Sequence, residues 1–329
     1  MNKIAIVNSS SFGKYFPDHL TRLKALGEIE FFTFPSDIEG KELALALKDY
    51  NLIIASVTPF FTEAFFANHP GCKLITRHGI GYNNIHLPSA TKHGCFVSKV
   101  EGIVEQDAVA ENAIALLMNL TRMQSPAEDA CNKGEWNTRA NYLGYQVRNK
   151  TVGIIGYGNI GSRIGSILKG GFNCRILAFD PYQDVKTIQD AGAEVVDLST
   201  LLKKADIISL NAFLSKENYH LLGEAEIQQM KDHVIIVNTA RGELVDDHAI
   251  VDAVKQGKIF GYGADVVEGE PIIQTHHLLN QPRIIVTPHI SAYTYECLQG
   301  MGDKCVSDCE KVVQGDVPGH LINIELIQP

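Results

Sequence analysis

Three residues that follow apolar runs have the types needed to move a proton beside a carboxylic acid. Arg241 comes after Val234-Ile-Ile-Val-Asn238, Glu270 lies shortly beyond Gly261-Tyr-Gly-Ala-Asp265, and His289 comes after Ile284-Ile-Val-Thr287. A guanidinium presents a planar fork of donors that matches a carboxylate. An imidazole, with an unperturbed pKa of ~6.5, can release a proton near neutral pH. A carboxylate beside it favours the charged ring and fixes its orientation. Reduction of a 2-oxo acid asks for such a set: a fixed cation for the carboxylate, and a proton for the carbonyl oxygen as hydride reaches carbon 2. Each residue also has a plainer reading, with Arg241 paired to a surface acid, Glu270 solvated and His289 capping a strand end. Singly the plainer reading is preferred; three such groups beside a nucleotide turn reverse that preference.

The turn is Gly156-Tyr-Gly-Asn-Ile-Gly161, which directly follows Thr151-Val-Gly-Ile-Ile155 and opens a helical stretch, Ser162–Lys169. The first glycine permits the tight turn, the second lets the backbone approach a pyrophosphate, and the third packs the helix on the sheet. The helix N-terminus then offers free N–H groups to phosphates. Asp180 ends the next apolar run, Arg175-Ile-Leu-Ala-Phe179. A carboxylate there accepts hydrogen bonds from a ribose and repels a 2′-phosphate, so NAD is expected rather than NADP. The alternative is a tight crossover followed by an ordinary Asp-Pro turn.

These residues need parallel strands to carry them. Ile4–Val7, Ile29–Thr33, Leu52–Ala55, Leu74–Thr76 and Phe96–Val97 read as buried strands of a first α/β unit, with helical patterns between them. A second series reads as Val152–Ile155, Arg175–Phe179, Ile207–Leu210, Val234–Asn238, Gly261–Asp265 and Ile284–Thr287. Ligands of open parallel sheets bind beyond the carboxyl ends of the strands, which brings the Arg, the acid and the His to one side. Between the two series, Asp107–Arg122 is a strong helix former, apolar round most of its circumference. It calls for burial on nearly all sides, in a core or against another subunit. Residues 123–150 lose periodicity and read as a loop or covering segment, and a last helix is expected over 295–314.

Composition narrows the partners. The chain has 329 residues, 45% hydrophobic and 20% charged, enough for two domains with cores of their own. Lys plus Arg is 29 against 38 Asp plus Glu, a formal charge of −9, which argues against nucleic acid or an anionic membrane as partner. No signal peptide or membrane span is legible, so a cytoplasmic location is expected. The seven cysteines form no C-x-x-C pair; Cys305 and Cys309 share a helix face without a third ligand, and no metal is expected.

Five ordered motifs carry a family resemblance: Arg77-His-Gly-Ile-Gly-Tyr-Asn-Asn-Ile85, Ala108-Val-Ala-Glu111, Val152-Gly-Ile-Ile-Gly-Tyr-Gly-Asn-Ile-Gly161, Val237-Asn-Thr-Ala-Arg-Gly-Glu-Leu-Val-Asp246 and Thr287-Pro-His-Ile-Ser-Ala292. The chain resembles the NAD-dependent D-isomer-specific 2-hydroxyacid dehydrogenases. Gly257–Tyr262, Asn218–Leu222, Gln146–Arg148 and Ala292–Thr294 are more similar to the D-lactate and D-2-hydroxyisocaproate branch than to the phosphoglycerate branch. The resemblance implies an α/β architecture of two doubly wound parallel-sheet domains with a cleft between them. Residues 1–104 and 294–329 would form a discontinuous, flavodoxin-like substrate domain, and 105–293 a Rossmann domain.

The resemblance also assigns roles. Arg241, Glu270 and His289 become the catalytic set, and backbone amides around His78, Gly79 and Ile80 join Arg241 on the carboxylate of a small 2-oxo or 2-hydroxy acid. Gly156, Gly158, Asn159, Ile160 and Gly161 lie on the pyrophosphate, Asp180 on the ribose and Asp265 on the nicotinamide carboxamide. Ala212, Phe213, Asn218 and Thr239 line the rest of the NAD groove, and the helix 107–122 forms a homodimer contact.

The chain departs from the family in four places. Asn211-Ala212-Phe213 replaces the usual His-x-Pro, Gly102–Gln106 replaces Pro-x-Tyr-Ser-Pro, and Lys99 and His86 stand where other residues are usual. An NAD(H)-sensing corepressor-like relative, or a member acting on another small anion, is the alternative function; the complete Arg, Glu and His set weighs against the first.

Overall fold

The computed structural model describes residues 2–327 and divides the chain into two units. The first comprises the residues up to Glu105 with those from Tyr293 onward; the second is Gln106–Ala292.

The first unit is a five-stranded parallel sheet, β1 (Asn2–Val7), β2 (Gly27–Phe32), β3 (Leu52–Ala55), β4 (Leu74–Arg77) and β5 (Phe96–Ser98), in the order β2-β1-β3-β4-β5. That is the doubly wound order of flavodoxin-like sheets, with its switch point at β1/β3. Both faces of the central strands are buried, as their continuous apolar runs require. Ala5, Val7, Ile53, Ala55, Ile75 and Val97 pack on one face with Phe61, Phe65 and Phe66. Ile4, Ile6, Leu52, Ile54 and Leu74 face Leu23 and the Cys305–Cys309 stretch of the last helix, Tyr295–Gln314. Cys305 and Cys309 thus serve as small apolar groups, which burial of their thiols reinforces by pushing both upward. Asp308 is 1% exposed on that helix, and it accepts from Thr76 Oγ1 at 2.8 Å, from Ser98 Oγ and from Lys304. This buried anion ties the C-terminal helix to β4 and β5.

The second unit has seven parallel strands: β6 (Thr151–Ile155), β7 (Arg175–Phe179), β8 (Glu194–Val195), β9 (Ile207–Leu210), β10 (Val234–Asn238), β11 (Ile259–Ala264) and β12 (Ile284–Val286), in the order β12-β11-β10-β9-β6-β7-β8. The chain steps outward from β6 to β8 on one side and from β9 to β12 on the other, so the switch point of this Rossmann order falls between β6 and β9. Alternate residues of each strand feed two cores. Val152, Ile154, Ile176, Ile235 and Val237 meet Leu116, Leu117, Leu120, Ile164 and Leu168, while Ile155, Ile208, Leu210, Ile236 and Tyr262 meet Leu201, Ile227, Ile250 and Val254.

Two expectations change. Gln124–Asn132 is a helix where a loop or covering segment was expected. Its only buried side chain is Ala130, so it carries too few apolar residues to show a period. The long helix runs Gly102–Arg122, and within this chain Ala110, Ala113, Leu116, Leu117 and Leu120 are buried whereas Glu111 and Ala115 are exposed. Its coverage in one chain is therefore one-sided. The two-residue β8 was not legible either: Glu194–Val195 is too short to show alternation. Among the described residues no helix is long and apolar enough to cross a membrane.

Candidate active site

The glycine turn lies at the switch point. Gly156 has φ +86°, and a Cβ there would stand 2.5 Å from the Ala212 nitrogen, so the crossing strands leave room for glycine alone. A Cβ on Gly161 would meet the Gly156 oxygen at 2.0 Å, which seats the helix Asn159–Phe172 directly on the turn. Gly158 differs: a Cβ there would meet nothing within 4 Å. The protein's own packing makes no demand for glycine at 158, and the open space above it is a cradle for a ligand. Gly158 is also the N-cap residue and supplies no side chain to the helix N-terminus, so the amides at Asn159, Ile160 and Gly161 have no side-chain cap and could receive an anion.

Asp180 ends β7 beside this turn. One carboxylate oxygen accepts from the Tyr157 amide at 2.8 Å and the other from the Tyr182 amide at 2.9 Å. A carboxylate oxygen carries two lone pairs, so acceptor capacity remains for a ribose diol. Beyond β9 and β10 two buried polar atoms have no protein partner, Asn211 Oδ1 and Thr239 Oγ1. Buried polar atoms call for partners, and both lie along the carboxyl edge that a dinucleotide would follow. The residues thus fit NAD. Asn218 plays a local part: its amide donates to the Phe213 carbonyl at 2.7 Å and its oxygen accepts from the Ser215 amide at 2.7 Å, stapling the loop that carries Ala212 and the exposed Phe213.

Arg241, Glu270 and His289 occupy the carboxyl ends of β10, β11 and β12. The Arg241 guanidinium donates to the Ala240 carbonyl at 2.6 Å, and among the described residues no carboxylate pairs with it. The plainer reading, a surface ion pair, is absent from the described contacts. A Cβ on Gly242 would stand 2.1 Å from the Glu268 nitrogen, so glycine allows the Arg241 loop to abut the chain leading to Glu270. Glu270 Oε1 and His289 Nδ1 are 2.8 Å apart, each side chain about one-third exposed at 31% and 29%. With Nδ1–H donated to Glu270, Nε2 is the nitrogen left for a substrate.

His289 has φ +54°, a left-handed conformation uncommon for a side chain of this size. Asp265 holds it there. Its carboxylate, 1% exposed, accepts from Thr287 Oγ1 at 2.6 Å, the Ile290 amide at 2.9 Å, the Ser291 amide at 2.7 Å and Ser291 Oγ. The Asp265 carbonyl accepts from the His289 amide at 3.0 Å. The carboxylate that the resemblance directs to the nicotinamide is thus occupied by the histidine turn. Asn238 shapes the arginine loop similarly, donating to the Arg241 carbonyl at 2.9 Å and accepting from the Ala240 amide at 3.0 Å. Sequence reasoning missed Asn238; its signal was a lone amide closing an otherwise apolar strand.

His78, Gly79 and Ile80 belong to the first unit and follow β4. Arg77, 2% exposed, donates to the Gly81 carbonyl at 2.6 Å and the Ala55 carbonyl at 2.7 Å, and so braces the turn from beneath. The His78 ring sits edge-on to Phe12 at 5.3 Å, with Nε2 buried and unpartnered. Burial first, then the charges of Arg77 and His19, lower this imidazole to about 3.

A doubly wound parallel sheet, a glycine turn under an uncapped helix, an acid-braced imidazole and an arginine that no described carboxylate pairs, all at the carboxyl ends of the strands, define a nicotinamide-dinucleotide dehydrogenase. Residues 114–291 match the model of the D-isomer specific 2-hydroxyacid dehydrogenase, NAD binding domain. The chain is 33% identical over 306 residues to a glyoxylate reductase of Thermococcus litoralis, covering 91% of this chain and 92% of that one. It is 32% identical over 307 residues to a glyoxylate reductase of Pyrococcus horikoshii, with 92% and 91% covered. Among solved structures it resembles the D-lactate dehydrogenase of Aquifex aeolicus complexed with NAD and lactic acid, at a TM-score of 0.84 and 28% identity over 97% of this chain and 99% of that one. The chain belongs to the D-isomer-specific 2-hydroxyacid dehydrogenase family. It is an NAD-dependent enzyme that reduces 2-oxo acids to 2-hydroxy acids, and the corepressor-like alternative is not favoured.

Two measurements test this geometry. Gly158→Ala is expected to leave thermal stability unchanged while weakening NADH at least about tenfold in a fluorescence titration, whereas Gly156→Ala should lower the melting temperature as well; equal stability loss in both would contradict the open cradle. For His78 the fold favours the neutral ring, so the unfolded chain binds a proton below ~6.5 that the native state refuses, and stability falls as pH drops toward 3. Between pH 7.5 and 5, urea unfolding should show about 2 kcal/mol of loss in the parent that His78→Phe lacks.

Proposed function

We propose that the chain reduces a short 2-oxo acid to its D-2-hydroxy acid, with Arg241 holding the carboxylate, His289 donating the proton and Glu270 orienting and charging the imidazole. The 2.8 Å contact between Glu270 Oε1 and His289 Nδ1, which leaves Nε2 without a protein partner, carries this reading. When bound, NADH supplies hydride to carbon 2. The guanidinium pairs two donors with the substrate carboxylate. Those contacts fix carbon 2 and point its carbonyl oxygen at His289. Nε2–H protonates that oxygen as the hydride arrives, and the Glu270 carboxylate stabilises the imidazolium before transfer and retains the ring orientation after it. The reverse reaction uses neutral His289 as base. Asp265 acts through the histidine turn, and Asp180 with the open Gly158 cradle favours NADH over NADPH.

The names of the glyoxylate reductases make glyoxylate the first substrate to test. A cytoplasmic location is part of this proposal. The purified protein is expected to oxidise NADH with glyoxylate, pyruvate or hydroxypyruvate, and to form the D-isomer from pyruvate on a chiral column. His289→Ala should lower kcat/KM by about 10²–10⁴-fold with NADH affinity retained, and Arg241→Gln should raise KM for every 2-oxo acid. L-lactate as product, or loss of NADH binding in both variants, would refute the assignment.

A homodimer built on the helix Gly102–Arg122 is part of this proposal. Ala115 is exposed on that helix, and nearby in sequence Trp136 is 68% and Leu143 83% exposed. Apolar groups of that size left in water suit a second copy. Sedimentation should give the mass of two chains; a monomer at working concentration would overturn it.

A further inference from the structure

Outside the proposed active site, the second unit gathers two histidines and a buried carboxylate that no part of the mechanism uses. Asp247 opens the helix Asp247–Lys255, and His276 and His277 stand together in the loop between β11 and β12. One ligand atom of each lies within 4.8 Å of the others. Asp247 is 6% exposed, and its Oδ1 has no hydrogen-bond partner; His277 Nε2 is likewise buried and unpartnered. The neighbouring acid, Asp246, is already spent on capping the helix, accepting from the His248 and Ala249 amides at 3.0 and 3.1 Å.

The rings are held in place. His277 stacks on His248 at 3.9 Å and 9°, and on His276 at 4.3 Å and 27°. The turn is closed by the His276 amide donating to the Ile273 carbonyl at 2.9 Å and by the Leu279 amide donating to the His276 carbonyl at 3.0 Å, with Leu278 anchored in the core beside it. A buried carboxylate and a histidine, each with an unpartnered polar atom and each with a ligand atom within 4.8 Å of the other and of His276, are an arrangement that a cation satisfies.

We propose that Asp247, His276 and His277 bind a divalent first-row transition ion of the zinc class. Two imidazole nitrogens and one carboxylate oxygen form a nitrogen-rich set that suits such an ion and disfavours magnesium or calcium, which take oxygen ligands. Water completes the coordination. The ion clamps the loop that leaves Glu270 onto the helix that follows the Arg241 loop. It is a structural site and takes no part in hydride or proton transfer.

A second group, Asp18, His19 and Asp303 in the first unit, serves as the internal control, because Arg22 already neutralises Asp303 at 2.8 Å. The full chain, stripped with chelator, is titrated with Zn²⁺ by calorimetry and with Co²⁺ by visible absorption. The expected result is saturable binding of one ion per chain, cobalt bands of a low-symmetry nitrogen–oxygen site, and a raised melting temperature. His277→Gln and Asp247→Asn should each weaken Zn²⁺ by at least about tenfold, and His19→Gln should leave it unchanged. His277 is partly exposed, so His277→Gln decides the matter if Asp247→Asn fails to fold, its own fold being checked by circular dichroism and NADH binding. No saturable binding, Mg²⁺ binding as tightly as Zn²⁺, affinity unaltered by His277→Gln, or affinity lost in His19→Gln would each overturn the proposal.

Discussion

At the end of β11 a carboxylate that is 1% exposed receives four donors from the five residues that follow β12. Asp265 is expensive to bury and becomes stable there only because every donor is present, two backbone amides and two hydroxyls. The requirement runs both ways. His289 keeps a left-handed backbone because the turn around it is held to Asp265 on both sides, and in that conformation its ring meets Glu270. In the proposed mechanism, the position of the proton donor is thus set by a buried anion one strand away, as expected of strain retained where a surrounding network over-determines it.

The same logic recurs at the neighbouring strands. Asn238, fully buried at the end of β10, folds the Arg241 loop back on itself, and Gly242 lets that loop lie against Val267 and Glu268. Asp180 spans β7 and the glycine turn of β6. In each case a polar side chain at the carboxyl end of a parallel strand satisfies the backbone of the adjacent loop. This is where a parallel sheet leaves its last groups unpaired and where ligands of such sheets bind. In the first unit, Arg77 at the end of β4 performs the equivalent task for the turn at His78–Ile80.

A chain of formal charge −9 that handles anionic substrates and an anionic cofactor must make its positive field locally. The proposed means are an arginine that no carboxylate among the described residues pairs, the N-terminus of the helix Asn159–Phe172, and amides presented by glycine turns. None of these contributes to net charge in a way that composition reveals. The acids outnumber the bases elsewhere, and some of them, such as Asp308 and Asp265, act inside the protein as acceptors for several donors at once.

Much of the fold and of the candidate site was legible in the residues themselves. Fully apolar runs bounded by helical patterns announced the parallel strands, because a strand buried on both faces has no polar side to show. The order Gly156, Gly158, Gly161 and Asp180 suggested a nucleotide turn, and at Gly156 and Gly161 the close approach of neighbouring backbone admits little else. What the residues could not announce depends on who stands opposite whom. Gln124–Asn132 hides its helix because it buries one side chain. Asp265 reads as a ligand contact until its four donors, 22 to 26 residues away, are seen around it. His276-His277 shows no metal spacing, since Asp247 comes from a different strand's crossover and only folding sets its unpartnered oxygen beside them. Local backbone demands are written in sequence; the partner of a buried charge is chosen by the packing of distant segments, and only the tertiary structure decides it.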